Sequence, residues 1–210
     1  MKILITAGPT REFLDPVRFF SNRSTGKMGY AIAEAAIAAG IETKLISGPV
    51  SLSIPKKCNV EQILSAKDML FAVLRNFPDY DGLIMTAAVA DYRPVIQEKE
   101  KIKKKGKELL LKMKRTKDIL SEVIKIKKER QFIMGFSAET ESVIENSQKK
   151  LLQKKLDWIV VNDVSRKDIG FESDCNEVTV LSKEKMQTIP IMTKKKLAKE
   201  LIKLILDPQK

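Results

Sequence analysis

Two clusters of small and polar residues near the start of the chain suit chemistry by type and spacing. They are Gly8-Pro9-Thr10-Arg11-Glu12 and Ser21-Asn22-Arg23-Ser24-Thr25-Gly26-Lys27-Met28-Gly29. Small residues that open a helix after a strand leave backbone N–H groups free, and the helix dipole favours an anion there. Ser24, Thr25, Gly26 and Lys27 are therefore candidate phosphate-holding residues. Familiar motifs do not fit. A dinucleotide fingerprint needs G-x-G-x-x-G, but Gly8 is followed two positions on by Thr10. A P-loop needs glycine five before Gly26 and Ser or Thr after Lys27, where this chain has Ser21 and Met28. By themselves the glycines equally suit a tight turn and close helix–sheet packing.

Further on, Ala87-Ala88-Val89-Ala90-Asp91-Tyr92-Arg93-Pro94 follows an apolar run. Small residues at a strand end let a ligand lie against the backbone, at the edge where open α/β sheets bind ligands. Asp91 there can hydrogen-bond a sugar hydroxyl, hold a metal, or simply turn the chain. From Lys99 to Lys117 nine lysines and one arginine face only Glu100 and Glu108. Such a run is ordinarily a solvated surface, but a mobile basic loop can also close over a triphosphate and neutralise charge as pyrophosphate leaves. Gly135 to Thr140 (GFSAET) reads as a strand-to-helix turn, and Lys150 and Lys154, four apart, share a helix face that suits a phosphate chain.

Composition narrows the options. No histidine is present, which removes histidine acid–base chemistry and the commonest metal ligand. Cys58 and Cys175 are 117 positions apart, the spacing of neither a disulfide framework nor a zinc site. No stretch of about 18 apolar residues exists, and Met1 to Thr6 runs straight into a strand pattern with no room for a secretory signal. The expected location is the cytoplasm, with no membrane partner. The net charge of +12 favours anionic partners, whether nucleic acid, acidic membrane or phosphorylated small molecules.

These residues need elements to position them. KILITA (Lys2 to Ala7) reads as a buried strand stopped by Gly8-Pro9, and Tyr30 to Ala39 as a helix with Gly40 just past its end. Thr43 to Ser47 is a second strand. Ser65 opens a helix with Asp68 three on as in a capping box, and its stripe is Met69, Leu70, Val73, Leu74 and Phe77. Asp81 to Ala88 is a third strand, and Asp91 to Lys107 a long irregular loop. Ile119, Leu120, Val123 and Ile124 form a helical stripe; Gln131 to Ser137 is a strand, Thr140 to Lys155 a helix, and Trp158 to Val161 a strand. Glu177 to Ser182 and Met186 to Ile191 read as a hairpin, followed by a helix burying Leu197, Leu201, Leu204 and Ile205. The alternation predicts an α/β fold: a Rossmann-like three-layer sandwich on a mostly parallel sheet, with a C-terminal β-hairpin extension. Residues 1–210 are expected to form a single domain.

Seven segments in order, ITAGPTRE, DPVRFFSNRSTGKMGYAIAEAA, ISGPVSL, TAAVADYRP, KIKKK, GFSAET and VNDVSRKDIGFESDCNEV, resemble the phosphopantothenoylcysteine synthetase family. In many bacteria that domain is the C-terminal half of a bifunctional coenzyme A biosynthesis flavoprotein. With nothing before Met1 and no histidine for the decarboxylase, the chain resembles the stand-alone form, expected to bind no flavin. The resemblance implies a dimeric Rossmann-like ligase. The carboxylate of 4′-phosphopantothenate attacks the α-phosphate of CTP, and the amine of L-cysteine then displaces CMP. It implies that Asn22 and Arg18 hold substrate and intermediate, and that Lys101 contacts the acyl-cytidylate and phosphates. Met85, Thr86, Ala87, Asp91, Asp118, Ile119, Phe136, Lys150 and Lys154 match the CTP-binding positions. The family's Asn-Pro-Asp-Ile stands here as Thr116-Lys117-Asp118-Ile119. Magnesium is expected with the triphosphate; its protein ligands are not identified, Asp91 being one candidate.

Two rival readings fit less of the chain. A nicotinamide-dependent oxidoreductase needs the glycine fingerprint and, in the short-chain class, a Tyr-x-x-x-Lys pair, yet Tyr30, Tyr80 and Tyr92 are followed four on by Glu34, Ile84 and Ile96. A basic nucleic-acid-binding protein needs aromatics among its basic residues, and Lys99 to Lys117 has none.

Overall fold

Lys2–Ala7 (β1) is buried from its second residue on, and its side chains alternate between two hydrophobic layers. Ile3, Ile5 and Ala7 enter one layer and Leu4 the other. A strand buried on both faces belongs at the centre of a covered parallel sheet. Each fully buried Ile or Leu there contributes roughly 1.5–3 kcal/mol, so burial at the centre fixes the sheet. The structure, a computed structural model, describes residues 1–104, 106–163 and 172–207.

After β1 an antiparallel ribbon, β2 (Arg11–Phe13) with β3 (Phe19–Ser21), precedes α1 (Lys27–Ala38). Then come β4 (Glu42–Ser47), β5 (Asn59–Gln62), α2 (Ala66–Asn76) and β6 (Gly82–Met85). A second ribbon, β7 (Tyr92–Pro94) with β8 (Met113–Arg115), leads to α3 (Ile119–Val123) and β9 (Phe132–Glu139). The chain continues through α4 (Val143–Gln153), β10 (Trp158–Asp163), β11 (Cys175–Leu181), β12 (Met186–Thr193) and α5 (Lys194–Leu206).

One sheet takes the order β12-β11-β10-β9-β6-β1-β4-β5. From β10 to β5 neighbours run parallel, while β11 and β12 pair antiparallel at one edge. The expected C-terminal hairpin is therefore continuous with the main sheet. Helices α1 and α5 cover one face, and α2, α3 and α4 the other. The chain leaves β1 for β4 and β5, then returns to β6 on the opposite side of β1. That reversal is the topological switch point, where such sheets bind ligands beyond their carboxyl ends.

Differences from the sequence reading have local causes. The apolar run Asp81 to Ala88 stops as a strand at Met85. There Thr86 Oγ1 donates to the Thr6 carbonyl at 2.5 Å, and the Ala87 amide donates to Thr6 Oγ1 at 3.2 Å, replacing ladder bonds. The helix expected from Thr140 begins at Val143, because Ser142 takes a left-handed conformation (φ 45°). Helix α1 begins three residues before Tyr30. The loop expected from Asp91 to Lys107 opens with an ordered strand, β7, which pairs with β8 beyond the loop's expected end; strands of three residues carry no periodicity. Helix α2 has the expected capping box between Ser65 and Asp68. The last lysine of KIKKK (Lys105) and residues 164–171 of the seventh segment lie outside the described residues.

Candidate functional site

The site is built on the segments that continue β1 and β6 past the sheet. They run side by side: the Ala88 amide donates to the Gly8 carbonyl at 2.9 Å, and the Ala90 amide to Thr10 Oγ1, also at 2.9 Å. Asn22 joins from after β3, its Nδ2 donating to the carbonyls of Ala88 (3.1 Å) and Val89 (3.2 Å). Thr116 Oγ1 donates to the Ala90 carbonyl at 2.7 Å, which ties the end of the second ribbon to the same strip.

Helix α1 points its N-terminus here. Gly26 is its N-cap with φ 77°, a conformation that costs other residues a steric penalty, and among the described residues no side chain caps the helix. Gly29 allows the close approach behind it: a Cβ there would stand 2.5 Å from Thr86 Oγ1 and 2.6 Å from Ala7 Cβ. The first-turn amides of α1 therefore face the strand ends, and that turn carries no acidic residue of its own.

Two adjoining clefts result. One, of about 520 Å³, is lined by Asn22, Ser24, Thr25, Gly26, Lys27, Thr86, Ser137, Asn162, Asn176 and Lys194 among others. The other, of about 530 Å³, is lined by Met85, Tyr92, Arg115, Thr116, Lys117, Asp118, Ile119 and Leu120. Ala87, Val89, Asp91 and Phe136 line both and form the wall between them. The α1 cleft suits an anion. The second sets Met85, Ile119 and Leu120 beside Asp118, and suits a flat polar ring.

Charge is arranged around these clefts in pairs. Lys27 Nζ donates to Asp174 Oδ1 at 2.6 Å and to the Glu172 carbonyl at 3.1 Å. Lys154 Nζ pairs with Asp118 and donates to Ser121 Oγ at 3.0 Å. Burial alone would raise the Asp118 carboxyl, but Lys154 and the Ser121 amide and hydroxyl outweigh it and hold it below the usual range. Lys150 Nζ donates to Glu139 Oε1 at 2.5 Å and to Ser137 Oγ at 3.2 Å. Lys194 is only 6% exposed; burial and the neighbouring Lys27 charge push its amine down to about 8.

The sequence-derived candidates thus divide. Asn22, Ser24 to Lys27, Met85 to Ala87, Asp91, Asp118, Ile119 and Phe136 converge on the clefts. Lys150 and Lys154 share a helix face but turn to different carboxylates beside them. Arg18 and Lys101 line neither cleft; Arg18 is held by Asp15 and the Ile102 carbonyl, and Lys101 is exposed on the basic loop. Asn162, Asn176 and Lys194 were not singled out. Asn162 Oδ1 is buried and has no hydrogen-bond partner among the described residues. Lys194 opens a helix whose first three residues are all lysine, where the dipole favours acids, and that anomaly was a readable signal.

Among the described residues no three Asp, Glu, Cys or His side chains gather into a metal-holding group. Asp91 is the carboxylate common to both clefts. The protein's share of a magnesium shell would be that single group, with phosphate oxygens and water completing it, as magnesium usually prefers.

Fold and site together define an open α/β domain of Rossmann-like topology, with a double ligand cleft at its switch point. The chain belongs to the family described as the DNA/pantothenate metabolism flavoprotein C-terminal domain, whose model matches residues 1–208. It is 48% identical over 205 residues to the coenzyme A biosynthesis bifunctional protein CoaBC of Bacillus subtilis, covering 97% of this chain and 50% of that protein. The chain thus spans half the length of this relative. The crystal structure of the C-terminal domain of a CoaBC is 43% identical with TM-score 0.82, over 97% of this chain and 93% of that one. A Cab2 H337A variant in complex with phosphopantothenate-cysteine has the same fold (TM-score 0.77, 14% identity, covering 100% of this chain and 89% of that one).

Proposed function

We propose that this chain is a phosphopantothenate–cysteine ligase of coenzyme A biosynthesis, acting in the cytoplasm and activating its substrate with CTP. The carrying observation is the pair of clefts sharing one wall, Ala87, Val89, Asp91 and Phe136, so that two ligands can meet across it. The names of the relatives, coenzyme A biosynthesis proteins, and the ligand of the Cab2 complex support the same reading.

The chemistry follows from a carboxylate being a poor electrophile. A substrate carboxylate oxygen forms a bond to the α-phosphorus of CTP as the bond to pyrophosphate breaks. The cysteine amine then bonds to the acyl carbon, CMP departs with the electron pair, and the amine releases a proton. In this reading Asp118, Ile119 and Phe136 bound the nucleotide's base and ribose cleft, with Lys150 and Lys154 behind it. Asn22 orients the acyl group from its anchored position on the Ala88 and Val89 carbonyls. The uncapped α1 terminus with Ser24, Thr25 and Lys27 receives phosphate oxygens. Arg18, whose bonds among the described residues leave Nη1 open, answers substrate charge, and Lys101 meets charge developing on the departing phosphates. Magnesium, when bound with the triphosphate beside Asp91, would neutralise phosphate charge.

The active form is proposed to be a homodimer. Val17, Phe19, Phe20 and Tyr92 are exposed on or beside the two ribbons, and Leu110 is 92% exposed on the loop between β7 and β8. Large apolar side chains so placed fit an interface with a second copy.

The test is pyrophosphate release with magnesium, 4′-phosphopantothenate and cysteine, CTP and ATP in parallel. Release with CTP that requires phosphopantothenate, yielding CMP and the cysteine adduct, is expected. Folded protein that releases none with either nucleotide overturns the reading.

A further inference from the structure

The turn between β2 and β3 holds Asp15, a carboxylate with no part in the chemistry above. Its side chain is 0% exposed although the turn lies at the surface. Oδ1 accepts from the amides of Val17 and Arg18, both at 2.8 Å, which closes the turn. Oδ2 accepts from Arg18 Nε at 2.9 Å and Nη2 at 2.7 Å. It also accepts, from 87 residues away in sequence, the amide of Ile102 at 3.1 Å. Arg18 Nη2 donates in turn to the Ile102 carbonyl at 2.6 Å. Both backbone polar groups of Ile102 are therefore gripped by one ion pair. A second tie, Glu98 amide to Leu14 carbonyl at 2.9 Å, lies four residues upstream. Beyond Ile102, the described residues from 103 to 111 make no hydrogen bond to the rest of the protein, so Ile102 is the last fixed point before the basic loop.

We propose that Asp15, acting with Arg18, is a positioning residue that fixes the backbone at Ile102 and so sets where the adjacent Lys101 stands. The proposal rests on the reading that Lys101 serves acyl transfer. A lysine stem is long and flexible, and its ammonium can meet a transition state reproducibly only if its backbone origin is fixed. The carboxyl is suited to this: burial alone would raise it, but the amides of Val17 and Ile102 with the Arg18 groups hold it well below the usual range.

Asp15→Asn separates the two duties of this side chain. With its oxygen toward Val17 and Arg18 the amide keeps the turn, and its NH2 then faces three donors, Arg18 Nε, Arg18 Nη2 and the Ile102 amide. Hydrogen exchange at Ile102 should accelerate by roughly 10-fold or more, the scale of a lost charge-assisted bond. In the pyrophosphate assay kcat should fall by about 10-fold or more with KM for CTP nearly unchanged. In a Lys101→Gln background the same change should cost less than about twofold, since coupled residues are not additive. Exchange at Ile102 equal to wild type, or a full loss of kcat in the Lys101→Gln background, overturns the proposal. Arg18→Gln, which removes the guanidinium from the Ile102 carbonyl, repeats the exchange measurement should Asp15→Asn fail to fold. If wild-type protein shows no ligase turnover, the proposed function fails on its own, while the exchange arm still decides whether the clamp exists.

Discussion

Single side chains here are placed by what they are bonded to rather than by what they are. Asn22 is exposed, yet two carbonyls of the opposite segment fix its amide; Lys101 is exposed and, among the described residues, has no partner of its own, only a fixed neighbour. Asn22→Ala and Lys101→Gln are each expected to lower turnover by at least ~10²-fold, the lower range for a lost transition-state contact. Pyrophosphate assays showing near-normal activity in either variant would remove that residue from the mechanism. Lys194 offers a test that needs no activity. Unfolded, its amine keeps a proton up to its ordinary 10.5; folded, it releases it at about 8. Between those values the unfolded chain binds more protons, so Lys194 makes stability rise with pH from about 8 toward 10.5. Urea unfolding at pH 8 and pH 10 should show a smaller rise in Lys194→Met than in wild type. An equal rise would assign the effect to another group.

At the level of elements, legibility followed burial and length. Strand β1 reads from its sequence to the residue, because an apolar run closed by Gly8-Pro9 has few other uses. The capping box at Ser65 was legible because it is a local pattern. Strand β2 was not: its central residue is Glu12, a charged side chain facing inward, and only the folded chain supplies the Ala66 amide that Glu12 Oε1 accepts at 2.8 Å. Asn162, Asn176 and Lys194 are single polar residues at the ends or starts of three different elements. No spacing links them to Gly26, and sheet topology alone brings them there. The packing of α1 against the strand ends gives a prediction at this scale. In Gly29→Ala the new methyl meets Thr86 Oγ1 and Ala7 Cβ. Overpacking of this kind typically costs about 1–3 kcal/mol, and here the displaced helix would also carry its amides away from the cleft. Denaturant melts showing no loss of stability would mean that α1 has room to move.

Across the whole molecule, two short ribbons stand apart from the main sheet, and Val17, Phe19, Phe20, Tyr92 and Leu110 are exposed on or beside them. Neither ribbon is visible in the sequence, so a homodimer could be expected only from family resemblance; the ribbons carry the face proposed for it above. Phe20→Asp places a charge on that face, and sedimentation should then show a shift from dimer to monomer at micromolar concentration. A variant that sediments like wild type would move the interface elsewhere.

The central place of β1 also bears on how the chain is made. It pairs with β4 on one side and β6 on the other, and the clefts lie where β1 and β6 end. About 75 residues separate the two strands in sequence. At ribosomal speeds of ~5–20 residues per second, β6 emerges some seconds after β1. During that interval the nascent chain can pair β1 with β4 and lay α1 across them, but the opposite edge of β1 stays open. That edge is a row of unpaired backbone groups beside apolar side chains. A chaperone protecting this protein during translation would have most to cover there, in the few seconds before the second wall of the clefts arrives.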